Sequence, residues 1–281
     1  ISSYFHESSV ALINKNGELI DFQREDWHSR VKGDKTFPRL ALNKIINDHD
    51  LNLNDLLFVF YEKPLRSWLT IVKQTIKTKG LLSPLSINQF KNFWKSSVSF
   101  YFDLVTNLNI KSPKIYYCDH HLSHAMTSNF YSDDFPHLSV VLDGFGDNKC
   151  STVYQFNSKN NFKILWTSDY PNSVGLFYST ITDFLGFSIN SGEFKLMGLS
   201  SFGSPNFVDQ IRKIISFENN KLNLDMNYFD FDNNLFNSYS NKLEELFGVE
   251  ANNSPISIEK NKHFQIYADI AASTQIILHE I

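Results

Sequence analysis

The stretch that most constrains this chain is LSVVLDGFGD, residues 138 to 147. Its β-branched apolar run reads as a buried strand. The run ends in a carboxylate, Asp143, and passes into a Gly-x-Gly turn at Gly144 and Gly146. Such a run puts a carboxylate at the tip of a strand, and the carboxyl ends of strands are where open α/β sheets keep their ligands. The segment before it obeys the same logic. KIYYC, residues 114 to 118, reads as a strand and delivers the chain to CDHHLSHAM, residues 118 to 126. There His120 and His124 stand four apart, a spacing that puts both imidazoles on one face of a helix. Two imidazoles and a carboxylate form an N, N, O donor set suited to iron, zinc or manganese rather than calcium. The glycines let backbone N–H groups approach an anion closely. Taken together these residues describe a metal beside a phosphate cradle. Taken apart they describe a polar helix start after a strand, and the residues alone leave both open.

The remaining sequence sets the frame. A length of 281 residues allows a sizeable core and two lobes. A net charge of −4 with no basic run argues against a general nucleic-acid binder. The two cysteines, Cys118 and Cys150, imply free thiols in a reducing cytoplasm and no disulfide framework. No window approaches a membrane span and the start carries no signal pattern. The chain begins at Ile1 and ends in a periodic apolar segment, so it reads as a fragment of a longer protein. The sequence sets no oligomeric state.

In chain order, residues 8–23 form two strands joined at Asn16-Gly17, the strongest short hairpin signal. His6, in the polar run SSYFHES, reads on its own as a surface histidine. Residues 24–38 are charge-dense and read as a loop, from which Lys32 and Lys35 could reach an anion. A helix follows, with Leu40, Ile45 and Ile46 at helical spacing, and then a buried strand, LLFVFYE, at 56–62. Residues 65–79 and 88–108 have helical spacing, with Trp68, Phe93, Trp94, Phe100 and Tyr101 as core. After LSVVLDGFGD come two more strands, STVYQFN and FKILWTS, and a helix capped by Ser173 with Gly175 in its first turn. Residues 190–205 look too Gly-rich for a plain helix and read as a ligand-contacting loop. In 218–237, Leu222, Leu224, Met226 and Tyr228 alternate as in short strands. The last segment places Ile266, Ile270, Thr274, Ile277 and Ile281 on one helical face. Two halves that each open with a hairpin pattern suggest a duplicated α/β fold with a cleft.

The runs SYFHESSVAL, SRVKGDKTFP, FYEKP, HHLSHAM, LDGFGD, NSVGLFYSTIT, NSGEFKLMGL and DIAASTQ occur in an order that can be named. The chain resembles the N-terminal domain of the O-carbamoyltransferases of the nodulation-protein and antibiotic-tailoring kind, over essentially its whole length. The resemblance implies duplicated actin- and sugar-kinase-like (ribonuclease H-like) lobes, here residues 1–134 and an incomplete 135–281. It implies a C-terminal YrdC-like domain, absent from this chain, that makes carbamoyl adenylate from carbamoyl phosphate and ATP with Mg2+. The N-terminal domain then passes the carbamoyl group to a hydroxyl of a small-molecule acceptor, a sugar or glycoside. Carried over by motif, His120, His124 and Asp143 match iron (Fe2+) ligands, with a fourth ligand beyond residue 281. His6 matches the base for the acceptor hydroxyl, which reverses its reading as a surface residue. Lys32 matches an adenylate contact, Gly144, Gly146, Ser173 and Gly175 match the cradle around it, and Tyr4 lines the acceptor pocket. The family often has a histidine where Gly33 stands, and EDWH at 25–28 replaces a commoner Glu-Glu-Arg-Phe, so this loop is expected to bear on the acceptor. The alternatives are an ATP-dependent sugar kinase of the same fold, threonylcarbamoyl transfer to tRNA, and a non-catalytic nucleotide-binding module. The N, N, O donor set argues against the first, which wants magnesium and an acidic base. The net charge argues against the second.

Overall fold

The computed structural model describes residues 1–5, 7–83, 86–87, 98–231, 238–253 and 262–281. The architecture is mixed α/β with small sheets. The chain divides into two compact units, Ile1–Leu69 with Asn88–Ser123, and Thr70–Ile87 with His124–Ile281. Among the described residues no helix is long and apolar enough to cross a membrane.

The first unit opens with the predicted hairpin, β1 (Ser9–Ile13) antiparallel to β2 (Leu19–Arg24). Gly17 takes the left-handed conformation of the turn, with φ +85°. The Asn14 side chain accepts the N–H groups of Asn16 at 2.9 Å and Glu18 at 3.0 Å. β2 runs directly into α1 (Glu25–Ser29), where the sequence predicted loop. The cause is distant. The buried Glu25 carboxylate accepts the N–H groups of Leu40 at 3.1 Å and Ala41 at 2.9 Å. It thereby caps the first turn of α2 (Arg39–Asp48), which has no side-chain cap of its own. The buried face of α2 is Ala41, Leu42 and Ile45, while Leu40 is exposed.

Strand β3 (Leu57–Phe60) pairs in parallel with β4 (Lys114–Tyr117), Phe60 opposite Tyr117. Residues 1–2 lie between β1 and β3. Ser2 and Ser9 exchange backbone bonds at 3.0 Å, the Ile1 nitrogen donates to Val59 O at 2.7 Å, and Tyr61 N–H donates to Ile1 O at 3.2 Å. β3 buries Phe58 and Phe60 but exposes Leu57 and Val59, so it is half-buried where its apolar run predicted burial on both faces. Helix α3 (Pro64–Lys79) follows β3, and Trp68 on it is half-buried. Phe60 packs on Phe100 of α4 (Ser99–Leu108) at a centroid distance of 4.4 Å. Tyr101, predicted as core, is exposed. Phe93 and Trp94 lie outside the described residues.

Helix α5 spans His120–Tyr131. The second unit's sheet is antiparallel, in the order β5 (His137–Gly146), β6 (Lys149–Ser158), β7 (Asn161–Asp169). α6 (Val174–Phe184) follows, then α7 (Glu193–Ser200), the short α8 (Val208–Ile211), the hairpin β8 (Ile215–Glu218) and β9 (Lys221–Leu224), α9 (Asn241–Phe247) and α10 (Phe264–Glu280). Phe177, Ile181, Phe184, Leu196, Ile214, Leu243 and Ile270 form its core. α7 corrects the expectation of a loop at 190–205. Its glycines sit where a helix tolerates them: Gly192 at the N-cap, Gly198 facing open space. The Glu193 carboxylate also accepts the N–H groups of Asn190 at 2.8 Å and Gly192 at 3.1 Å ahead of the helix. α10 is buried over a wider stripe than predicted, including Tyr267, Asp269, Ala271 and Ser273.

Candidate metal centre

Helix α5 starts at His120 because Asp119 caps it, its side chain accepting the N–H of Leu122 at 3.2 Å. Lys63 Nζ and Arg66 Nη1 each lie 3.7 Å from the Asp119 carboxylate. The parallel register of β3 and β4 sets His120 beside the end of β3. There Tyr61 packs edge-on to its ring at 5.5 Å, and Glu62 Oε2 lies 3.8 Å from Nδ1. His124 follows one turn later, and its Nε2 is 3.8 Å from Asp143 Oδ2 on β5. One ligand atom each from His120, His124 and Asp143 all lie within 4.8 Å of one another. An ion with bonds of about 2.1 Å would hold such donors at about 3.4 Å, so modest side-chain rotation closes the set. The donor chemistry fits a borderline transition metal. His124 is the open side of the cluster, its side chain 55% exposed.

The Gly-x-Gly segment differs from its prediction. β5 continues through Gly144 to Gly146, with a register shift against β6, and pairing resumes at Gly146 opposite Lys149. The chain reverses at Asp147, which holds the left-handed conformation at φ 58°. Gly144 N–H donates to its neighbour's carboxylate, Asp143 Oδ1, at 2.7 Å. A side chain at Gly144 would meet only Leu176 at 3.8 Å. Of Gly144 and Gly175, the one under steric demand is Gly175, in the first turn of α6. A Cβ there would lie 2.6 Å from Asp143 O and Gly144 N. Ser173 caps the same helix, accepting Leu176 N–H at 3.0 Å. Its hydroxyl lies 2.7 Å from Gly144 O and 3.0 Å from Asp143 O. Thus the N-terminus of α6 abuts the backbone that carries the Asp143 carboxylate. A recess of about 410 Å³ adjoins it, walled by α5 from His124 to Tyr131 and by β5 from Ser139 to Asp143. Cys150 is buried and is not among the residues whose donor atoms converge; burial first, then the charges of Asp143 and Asp169, push its thiol up to about 12.

In the first unit, Tyr4 lines a recess of about 540 Å³ together with Asp34, Arg39 and Asp103. Its hydroxyl donates to Asp103 Oδ2 at 2.6 Å. Burial, then that bond, raises its pKa well above the ordinary tyrosine value. Tyr4 N–H donates to Lys35 O at 2.8 Å and Ser8 N–H to Asp34 O at 2.7 Å. The backbone on either side of His6 is therefore tied to the KGDK loop. His6 itself lies outside the described residues. Lys32 is exposed on that loop beside Gly33, which is left-handed at φ 68°. Sequence reasoning missed Asp103 and Glu62. Asp103 sits in an aromatic helix and meets Tyr4 from 99 residues away, so only the fold reveals it. Glu62 carried a weak signal, an acid just past the end of an apolar strand.

Residues 1–281 match the protein family described as Carbamoyltransferase N-terminus. Protein sll1178 of Synechocystis, itself uncharacterised, is 30% identical over 294 residues, which cover 100% of this chain and 46% of that protein. Protein MJ1051 of Methanocaldococcus jannaschii, also uncharacterised, is 28% identical over 76% of this chain and 36% of its own length. The nodulation protein NolNO of Sinorhizobium fredii is 23% identical over 73% of this chain and 29% of its own length. The chain spans less than half the length of these curated relatives.

Proposed function

This chain belongs to the carbamoyltransferase N-terminus family, and we propose that the polypeptide containing it moves a carbamoyl group from carbamoyl adenylate to a hydroxyl of a sugar or glycoside-like acceptor. The observation that carries this reading is the convergence of His120, His124 and Asp143, the last of which sits on backbone packed against the N-terminus of α6. A donor set of this kind next to a helix N-terminus suits an anionic, activated acyl group. Carbamoyl phosphate and ATP supply the adenylate, in a YrdC-like domain outside this chain that uses Mg2+. The finer reading of the fold is two actin- and sugar-kinase-like lobes, 1–134 and 135–281. It is supported by the first unit's strand order, in which residues 1–2 bridge β1 and β3, and by the second unit's opening β5-β6-β7 run. Free thiols at Cys118 and Cys150 agree with a cytoplasmic protein.

His120, His124 and Asp143 would hold iron(II). Bound there, the ion would polarise the carbamoyl carbonyl as a Lewis acid. The α6 N-terminus and Lys32 hold the phosphate side of the adenylate by charge and backbone N–H groups. Tyr4 and its partner Asp103 shape the acceptor pocket. His6 takes the hydroxyl proton as the acceptor oxygen attacks the carbamoyl carbon, the bond from that carbon to the phosphate oxygen breaks, and AMP leaves. A histidine of near-neutral pKa is suited to that proton transfer.

The test is metal content of the complete polypeptide after anaerobic purification, beside His120→Ala and His124→Ala. Near-stoichiometric iron in the parent and its loss in both variants is the expected result. No transition metal, or metal indifferent to both histidines, refutes the reading. His6→Ala should then lose transfer while keeping adenylate formation, whereas a non-catalytic module would be unaffected.

A further inference from the structure

We infer that Glu62 is a positioning residue for His120, turning the imidazole so that the ring nitrogen away from Glu62 serves the cluster. The inference rests on the metal-centre reading above. Its geometry comes from the parallel pairing of β3 and β4. With Phe60 opposite Tyr117, and Cys118 N–H bonded to Phe60 O at 2.9 Å, the residues leaving the two strands emerge side by side. Tyr61 and Glu62 leave one strand, Asp119 and His120 the other. Glu62 Oε2 lies 3.8 Å from His120 Nδ1, and that nitrogen is shut off from solvent. The Tyr61 ring meets the imidazole edge-on at 5.5 Å, which restricts its rotation. The side chains are 11% and 22% exposed, so water screens the carboxylate only in part.

Glu62 is not among the residues whose donor atoms converge within 4.8 Å, so its place is behind a ligand. Ligating histidines characteristically donate their second ring N–H to a carboxylate, which fixes the tautomer and the ring plane. A gap of 3.8 Å is longer than a hydrogen bond, and a small rotation of either side chain closes it. The carboxylate then holds the proton on Nδ1 and leaves Nε2 as the ligand atom.

The experiment measures Fe2+ affinity of the complete polypeptide by anaerobic competition with a chelator, for Glu62→Ala, Glu62→Gln, His120→Ala and His124→Ala. Visible spectra of the Co2+-loaded proteins and metal-free melting temperatures accompany it. Glu62→Ala should weaken Fe2+ binding about 10- to 100-fold with one site per chain retained. Glu62→Gln should weaken it less, because its amide oxygen still accepts the imidazole proton. The Co2+ bands should shift in Glu62→Ala, and metal-free Glu62→Gln should melt with the parent. Parental affinity and spectrum in both Glu62 variants overturns the inference. So does complete loss of the site in Glu62→Ala, which would make Glu62 a ligand, or a metal-free Glu62→Gln whose stability falls in step with its affinity. If the histidine variants keep their metal, the metal centre falls and this inference falls with it. If they lose it while the Glu62 variants are unchanged, the inference alone falls.

Discussion

Replacing Gly175 with alanine should destabilise the second unit, against the usual sign for a helix. In a helix interior alanine is favoured over glycine by about 1 kcal/mol. Gly175 is not in the left-handed region, so no backbone strain offsets that gain. The obstacle is contact. The added Cβ would lie 2.6 Å from Asp143 O and Gly144 N and 2.7 Å from Asp143 C. All three are backbone atoms and cannot swing aside. Reaching the 3.4 Å of ordinary contact requires a displacement of about 0.8 Å. Either α6 withdraws and the Ser173 bonds to Gly144 O and Asp143 O lengthen, or the Asp143 segment moves and takes its carboxylate away from His124. Overpacking costs about 1–3 kcal/mol, and contact with three immovable backbone atoms puts Gly175 in the upper part of that range, about 2–3 kcal/mol, so a net loss of roughly 1–2 kcal/mol remains after the propensity gain. For a unit of this size that is a fall in Tm of roughly 2–8 °C. The control is Gly198→Ala on α7, where an added Cβ meets nothing within 4 Å and φ is not left-handed. It should hold or raise Tm. Thermal melts followed by circular dichroism measure both. A Gly175→Ala protein that melts with or above the parent, with metal binding intact, would refute the close packing of α6 on the Asp143 segment.

Other perturbations follow from the same packing. Lys159 Nζ donates to the carbonyls of Asn129, Phe130 and Ser132 at the end of α5, at 3.0, 3.0 and 2.6 Å. Lys159→Met should cost about 1–2 kcal/mol and speed hydrogen exchange in that turn; unchanged exchange there would contradict the cap. Asp269→Ala orphans donors from Ser204, Asn206 and Gln265, each at 2.8 Å, and should cost roughly 2–4 kcal/mol in urea melts. Burial alone would raise the Asp269 carboxyl, but the bonds from Ser204, Gln265 and Asn206 outweigh it and hold it below the usual range. Its contribution is therefore present above the unfolded pKa and lost as pH falls through the folded one, so Asp269→Ala should flatten the acid limb of stability. Cys150, with its thiol pushed up to about 12, should react with iodoacetamide only after unfolding. Its raised pKa means stability is whole below the ordinary thiol value and declines as pH rises from about 9 toward 12. Rapid labelling of native Cys150 at pH 8 would show that the site is open.

Much of the local structure was legible in the residues. Asn16-Gly17 specified a hairpin, Ser173 a helix cap, and the spacing of His120 and His124 one helical face. Each depends on dihedral preferences or periodicity within a few residues. Where the deciding partner lay far along the chain, the reading failed. The charge density of 24–38 says only that the segment is solvated, whereas α1 forms there with its Glu25 capping a helix fifteen residues on. The apolar run of β3 predicts a buried strand, but it does not record which face will be covered, and Leu57 and Val59 are exposed.

The same division runs through the candidate site. The sequence by itself determined that two imidazoles share one face of a helix and that a carboxylate rides on the strand that follows. Only the tertiary structure decided that Gly175, not Gly144, is the glycine the packing requires, and that Glu62 stands behind His120 and Asp103 behind Tyr4. The reason is register. Which residues face one another across β3 and β4, or across β5 and β6, depends on how whole strands align, and no window of sequence contains both sides of that alignment.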